Sequence, residues 1–226
     1  MLWRGAGFRR AARRKDDPLI VSREKRQKPL ALPSGGRLIL ASASPRRRQL
    51  LEEAGWEFRV IVPTVTEPET RWHLLGPKGM AEALAYFKAR SIWDANPSDW
   101  VLGADTIVAR GEEVIGKAAD EAEARAILGR LCGTRHAVIT GLAILGPGGV
   151  RLIASDTTFI RMRRASPAEI QAYLDSGEWR GKAGAYAIQE TGDRFVESVE
   201  GSFTNVVGLP MELLRRMIER IYRGQE

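Results

Sequence analysis

Cysteine and histidine are nearly absent from this chain of 226 residues: Cys132 is the one thiol, and His73 and His136 are the two imidazoles. A lone cysteine closes no internal disulfide, which excludes a disulfide-built scaffold and points to a reducing, cytoplasmic setting. A zinc site lacks its soft ligands, and a Ser-His-Asp or Cys-His enzyme has little material to work with. No apolar run approaches the roughly 20 residues that a membrane-crossing helix needs. The N-terminus lacks the continuous apolar segment of a secretory signal. What remains in quantity is carboxylate, lysine, arginine and hydroxyl, the groups that suit phosphate chemistry with a hard cation such as Mg²⁺.

The formal net charge is +7, which raises the question of a nucleic-acid partner. Ten of the basic side chains and three of the acidic ones lie in residues 1–36, so the whole excess belongs to that segment and residues 37–226 are balanced. The composition of 1–36 reads as a disordered basic extension ahead of one main domain over 37–226.

From residue 37 the pattern is regular. The run RLILA predicts a buried strand at 37–41, and Ser44-Pro45 opens a helix over 46–54 that stops at Gly55. Alternation over 56–62 predicts a second strand. Met80, Leu84, Phe87 and Ile92 at helical spacing predict a helix over 79–95. A strand over 100–109 follows, then a turn-rich stretch to Ala119, and a helix capped by Asp120 and ended near Gly133. Two long β-rich runs, 135–145 and 150–162, flank Gly146-Pro147-Gly148-Gly149 and predict a hairpin. Ser166-Pro167 with Glu169 reads as a capping box. Short strands at 185–189 and 195–199 and a helix from Pro210 complete the chain. The mixture predicts an α/β fold with a mixed sheet.

Three clusters could carry chemistry. In LASASPRRR (40–48), two serines and three arginines sit at a strand-to-helix junction, where free backbone N–H groups and guanidinium forks suit phosphate. In LGADTIV (102–108) an apolar strand is interrupted by Asp105; a buried carboxylate is costly unless paired, hydrogen-bonded or bound to metal. In WRGKAGAYAIQ (179–189) glycines permit close approach and Gln189 offers a donor and an acceptor to a base edge. Each has a plain structural alternative: a helix cap, a strand-end carboxylate, an exposed loop. A fourth stretch, GEEVIGKA (111–118), imitates a phosphate-binding G-x-x-x-x-G-K-[ST] loop, but Ala118 has no hydroxyl for Mg²⁺ and two glutamates would face the phosphates. It is rejected.

Together, LASASPRRRQLLEEAG (40–55), LGADTIV (102–108), IGK (115–117), GEWRGKAGAYAIQ (177–189) and VESVEGSFTNVVGLP (196–210) resemble the Maf family of the ITPase-like superfamily. The resemblance implies an elongated mixed sheet flanked by helices around a central cleft, frequently in a homodimer. It implies hydrolysis of nucleoside triphosphates to monophosphate and pyrophosphate. Asp105 matches the family's proton acceptor, and Glu67, Lys88 and Lys117 match other polar residues of its catalytic cleft, with Glu69 close by in VTEPET. Arg46, Thr106 and Gln189 fall where the dTTP/UTP subgroup has Arg, Thr and Gln; modified pyrimidine nucleotides extend that substrate class, and the 7-methyl-GTP subgroup differs at these positions. Ala118 and Glu190 stand where proline and glycine are usual.

On this reading Ser42, Ser44, Arg46, Arg47 and Lys117 are expected to hold the phosphate chain. Glu67 and Asp105 are expected to bind Mg²⁺ or Mn²⁺, and Asp105 to orient or deprotonate the attacking water. Two rivals stay open at the level of sequence: nucleic-acid binding through the basic extension, and a regulatory role in septum formation or division.

Overall fold

The computed structural model describes residues 32, 36–64, 72–188 and 191–223. The basic extension apart from Leu32 and Gly36, and Glu67, Glu69, Gln189 and Glu190, lie outside the described residues. Buried aliphatic residues make β1 (Leu38–Ala41), and Ser44, its side chain accepting from the Arg47 N–H, caps α1 (Pro45–Glu53) with proline in the first turn. There follow β2 (Phe58–Val60), α2 (Gly76–Trp93), β3 (Trp100–Arg110), β4 (Glu113–Ile115), α3 (Glu121–Leu131), β5 (Arg135–Gly146) and β6 (Val150–Met162). The chain then forms α4 (Pro167–Leu174), β7 (Val196–Glu200), α5 (Phe203–Val207) and α6 (Met211–Arg223).

The sheet runs β2-β1-β3-β5-β6-β7, with β4 attached to β3. β1 lies parallel to both β2 and β3, while β3–β5, β5–β6 and β6–β7 are antiparallel, so the sheet is mixed and the fold α/β. One face carries α2. The other is covered in two patches, by α6 over Leu40, Leu102, Leu142 and Ile144, and by α3 and α4 around Leu128, Leu131, Tyr173 and Trp179. No helix among the described residues is long and apolar enough to cross a membrane.

Capping chemistry is seen where expected. Asp120 accepts from the Glu123 N–H at the start of α3, and Ser166 and Glu169 form the full reciprocal box at the start of α4. Three expectations change and one element is added. The strand expected over 56–62 contracts to β2. Residues 113–115 form β4 in a hairpin with β3, which removes any phosphate loop at 111–118. Residues 185–188 are not a strand, because Gly184 and Ala185 adopt φ of +72° and +55°; Ala183 instead bridges to Lys117. The added element is the short helix α5, between β7 and Pro210, where no element is expected from the sequence.

The helix over 79–95 is real but presents a different face. Leu84 and Ile92 are buried, yet Phe87 is exposed and the contact surface is carried by Ala81, Ala85 and Ala89. The reason lies on the strands. A Cβ at Gly103 would sit 2.3 Å from the Ala85 carbonyl oxygen, and one at Gly141 would sit 2.2 Å from that of Ala81. Glycine on the sheet and alanine on the helix bring the two backbones close, and larger side chains are turned outward.

Candidate active site

Along one edge β3 changes partners. Its residues up to Gly103 pair with β1, which ends at Ala41, and its residues from Val108 onward pair with β4. Between them, at 104–107, that edge has no strand beside it among the described residues, while the other edge stays paired with β5 from Val101 to Ala109. Successive side chains of a strand point to opposite faces. Asp105 therefore faces α2 and Thr106 faces α5, yet both line one cavity of about 430 Å³ at the opening. The crevice lies beyond the carboxyl end of β1, where open α/β sheets place their ligands.

The turn after β1 supplies one wall, with Ser42, Ser44, Arg46 and Arg47 all lining the cavity. Ser42 is buried, and its Oγ accepts from the Ser44 N–H at 3.2 Å and from Arg47 Nη1 at 3.0 Å. Arg47 also donates from Nε to the Gly208 carbonyl at 2.8 Å and from Nη2 to Thr106 Oγ1 at 3.0 Å. It ties α1 to β3 and to the end of α5, with two of a guanidinium's five N–H groups left over. Burial pushes the Arg47 pKa down from the ordinary arginine value; Asp105 opposes that shift and Arg46 adds to it. Gly208, at φ +117°, is the residue whose carbonyl Arg47 holds; a Cβ there would lie 3.2 Å from Thr106 Oγ1.

Lys88, projecting from α2, is ion-paired to Asp105 and also lines the cavity. Their side chains are 24% and 14% exposed, so the pair is shielded but within reach of a ligand. Lys117 closes the far wall together with Lys182 and Ala183. The Gly184 N–H to Gly116 carbonyl bond, at 3.0 Å, and the Lys117–Ala183 bridge stitch the two loops together. Val108, Val138, Val206, Val207 and Ile188 give the cavity an apolar side opposite its cationic one.

Tyr186 also lines the cavity, with its hydroxyl 2.8 Å from His136 Nε2 and the two rings edge-on. Burial lowers the His136 pKa to about 4 and raises that of Tyr186. His136 is 2% exposed and stays neutral near pH 7. It braces the tyrosine hydroxyl.

Of the site residues expected from sequence, Ser42, Ser44, Arg46, Arg47, Lys88, Asp105, Thr106 and Lys117 meet at this one cavity; Glu67 and Gln189 fall outside the described residues. Arg46, from α1, and Asp105, from β3, open onto the same space. Sequence reasoning missed the polar groups behind Thr106. Thr140 Oγ1 lies 2.9 Å from Thr106 Oγ1 and donates to the Asn205 carbonyl at 3.0 Å, and both residues are fully buried. Their only signal was the polar Thr140 inside the apolar stretch AVITGLAIL and the polar pair Thr204 and Asn205 inside FTNVVGL.

The profile of the family described as Maf-like protein matches residues 37–221. A dTTP/UTP pyrophosphatase of Symbiobacterium thermophilum is 45% identical over 80% of this chain and 92% of its own. One from Koribacter versatilis is 44% identical over 81% and 93%, and one from Ruminiclostridium cellulolyticum is 40% identical over 81% and 95%. Among solved structures, the Staphylococcus aureus Ham1 protein is 16% identical, covers 84% of this chain and 100% of its own, and has a TM-score of 0.48. With its profile spanning nearly all of 37–226 and such relatives matched over most of their length, the chain belongs to the Maf-like family.

Proposed function

We propose that this protein is a nucleoside triphosphate pyrophosphatase that hydrolyses dTTP and UTP, and modified pyrimidine nucleotides of the same shape, to the monophosphate and pyrophosphate. The observation that carries the reading is the meeting of the Ser42–Arg47 turn with Asp105 at one cavity. Relatives that bear the name dTTP/UTP pyrophosphatase support the substrate class.

The cationic side takes the triphosphate: Ser42, Arg46 and Lys117 donate to phosphate oxygens, Ser44 holds the helix start toward them, and Arg47 fixes the turn. Water adds to the α-phosphorus as the bond to the bridging oxygen of the β-phosphate breaks, and pyrophosphate leaves. The water proton passes to Asp105, whose carboxylate is oriented by the Lys88 ammonium. Mg²⁺ binds through one or two carboxylates together with substrate phosphates and water, and Asp105 beside a phosphate-gripping turn fits that donor set. Asp105 and Glu67 would hold Mg²⁺ or Mn²⁺, which supplies charge neutralisation for the departing pyrophosphate. Gln189 would read the base edge with Thr106. The same reading takes 37–226 as one catalytic domain acting as a homodimer in the cytoplasm, with 1–36 as an extension.

The test is a panel of dTTP, UTP, dCTP, GTP and 7-methyl-GTP assayed with Mg²⁺ for pyrophosphate. The expected result is pyrophosphate and monophosphate from dTTP and UTP ahead of the purine nucleotides. Release of orthophosphate in place of pyrophosphate, or a preference for 7-methyl-GTP, would overturn the proposal.

A further inference from the structure

Two hydroxyls line the cavity on either side of Arg47, and the hydrogen bonds around them fix opposite polarities. Thr140 Oγ1 lies 3.0 Å from the Asn205 carbonyl oxygen and 2.9 Å from Thr106 Oγ1. A carbonyl oxygen only accepts, so the single Thr140 proton is committed to Asn205. The Thr106–Thr140 bond must then use the Thr106 proton. Thr106 also accepts from Arg47 Nη2 at 3.0 Å, which leaves it one lone pair and no proton for the cavity. Ser42 is the reverse case. Its oxygen accepts from the Ser44 N–H and from Arg47 Nη1, so both acceptor positions are filled and, among the described residues, its proton is the group left to give.

The source of this polarity is fixed deep in the sheet. Asn205 is fully buried, and its Nδ2 donates to the Val138 carbonyl and to Thr158 Oγ1, both at 2.9 Å. Thr158 in turn donates to the Ser202 carbonyl at 2.9 Å. The Asn205 carbonyl therefore cannot swing away from Thr140 without breaking buried hydrogen bonds, where an unpaired polar group is costly.

We infer that Thr140 is a positioning residue for specificity: by taking the Thr106 proton it makes the Thr106 hydroxyl acceptor-only, so that Thr106 recognises an N–H or O–H donor of the nucleoside. A phosphate oxygen is an acceptor and is matched by Ser42, not by Thr106. The nucleotide is thereby oriented in the cavity, with phosphate toward α1 and a nucleoside donor toward β3. Two donors common to dTTP and UTP have this chemistry, the imide N3–H of the base and the 3′-hydroxyl of the sugar. The inference rests on the pyrophosphatase reading.

The test measures kcat and KM for dTTP, its N3-methyl analogue and its 3′-deoxy analogue with the unaltered protein, Thr140→Val and Thr140→Ser. In the unaltered protein, kcat/KM falls roughly ten-fold or more for the analogue lacking the recognised donor, mainly through KM, as expected for one lost hydrogen bond that leaves a buried acceptor unpaired. Which analogue falls identifies base or sugar. Thr140→Val frees the Thr106 proton, and the ratio between dTTP and that analogue collapses; Thr140→Ser, which keeps the hydroxyl, restores it. If the valine variant does not fold, Thr140→Cys, whose thiol is a weak acceptor, takes its place with the same expected result. Equal turnover of all three substrates by the unaltered protein, or an unaltered ratio in the valine or cysteine variant, overturns the inference while leaving the pyrophosphatase reading intact. Absence of pyrophosphate from dTTP overturns that reading, and this one with it.

Discussion

Asp105 and Lys88 form an ion pair that lines the cavity on the α2 side. Replacing Asp105 with Asn keeps the volume and removes the carboxylate proposed as the base. Turnover is expected to fall about 10²–10⁴-fold, the usual cost of a lost general base, while the thermal midpoint moves little; pyrophosphate release alongside a melting curve checks both, and unchanged turnover would remove Asp105 from the mechanism. The residues that sequence made legible are those whose meaning is local. Ser44 followed by Pro45 is a cap wherever it occurs, and an aspartate inside LGADTIV stands out against its neighbours. Arg47 was less legible: its side chain is engaged by Thr106 and Gly208, distant in sequence, so a residue expected to grip phosphate also serves as a fastener.

Among the elements, the packing of α2 on the sheet decides how near Lys88 comes to Asp105. Gly141 is paired across the ladder with Asp105, and the Ala81 backbone lies directly over it. Gly141→Ala puts a methyl group against main-chain atoms that cannot rotate aside, so α2 must lift. A loss of about 3 kcal/mol is expected, at the upper end of ordinary overpacking, with a fall in kcat as Lys88 is drawn off Asp105. Urea unfolding and turnover on the same sample check it; wild-type values in both would show that the helix has slack there. This contact also explains what the sequence hid. The caps of α1, α3 and α4 were readable because a capping residue and its partner lie within three positions of each other. The buried face of α2 was misread at Phe87 because it is selected by glycines on β3 and β5, which no helical periodicity contains. The stretch 185–188 failed as a strand for a similar reason, since Ala183 and Gly184, which lead into it, are tied to Lys117 and Gly116, and Gly184 and Ala185 are left-handed.

For the molecule as a whole, the buried His136 links stability to acid. Its folded pKa is about 4, against about 6.5 for an unperturbed histidine. Above pH 6.5 neither folded nor unfolded chain is protonated there and the group contributes nothing. As the pH falls from 6.5 toward 4 the unfolded chain takes up a proton that the folded one refuses, so stability falls, by roughly 2–3 kcal/mol at pH 4.5. Denaturant midpoints measured at pH 7 and pH 4.5 should separate more for the unaltered protein than for His136→Gln; equal separations would show that the histidine is not the source. The open edge of β3 has a consequence of another kind. Chemistry and recognition are assigned to neighbouring positions, Asp105 and Thr106, and are told apart only by which side of the sheet each emerges from. Sliding β3 by a single residue against β5 would hand the carboxylate to the Thr140 side and the hydroxyl to Lys88, without altering any amino acid. The long antiparallel ladders through β5 and β6 therefore act as a ruler, and fidelity of strand alignment is as much a requirement for turnover as the identity of the residues themselves.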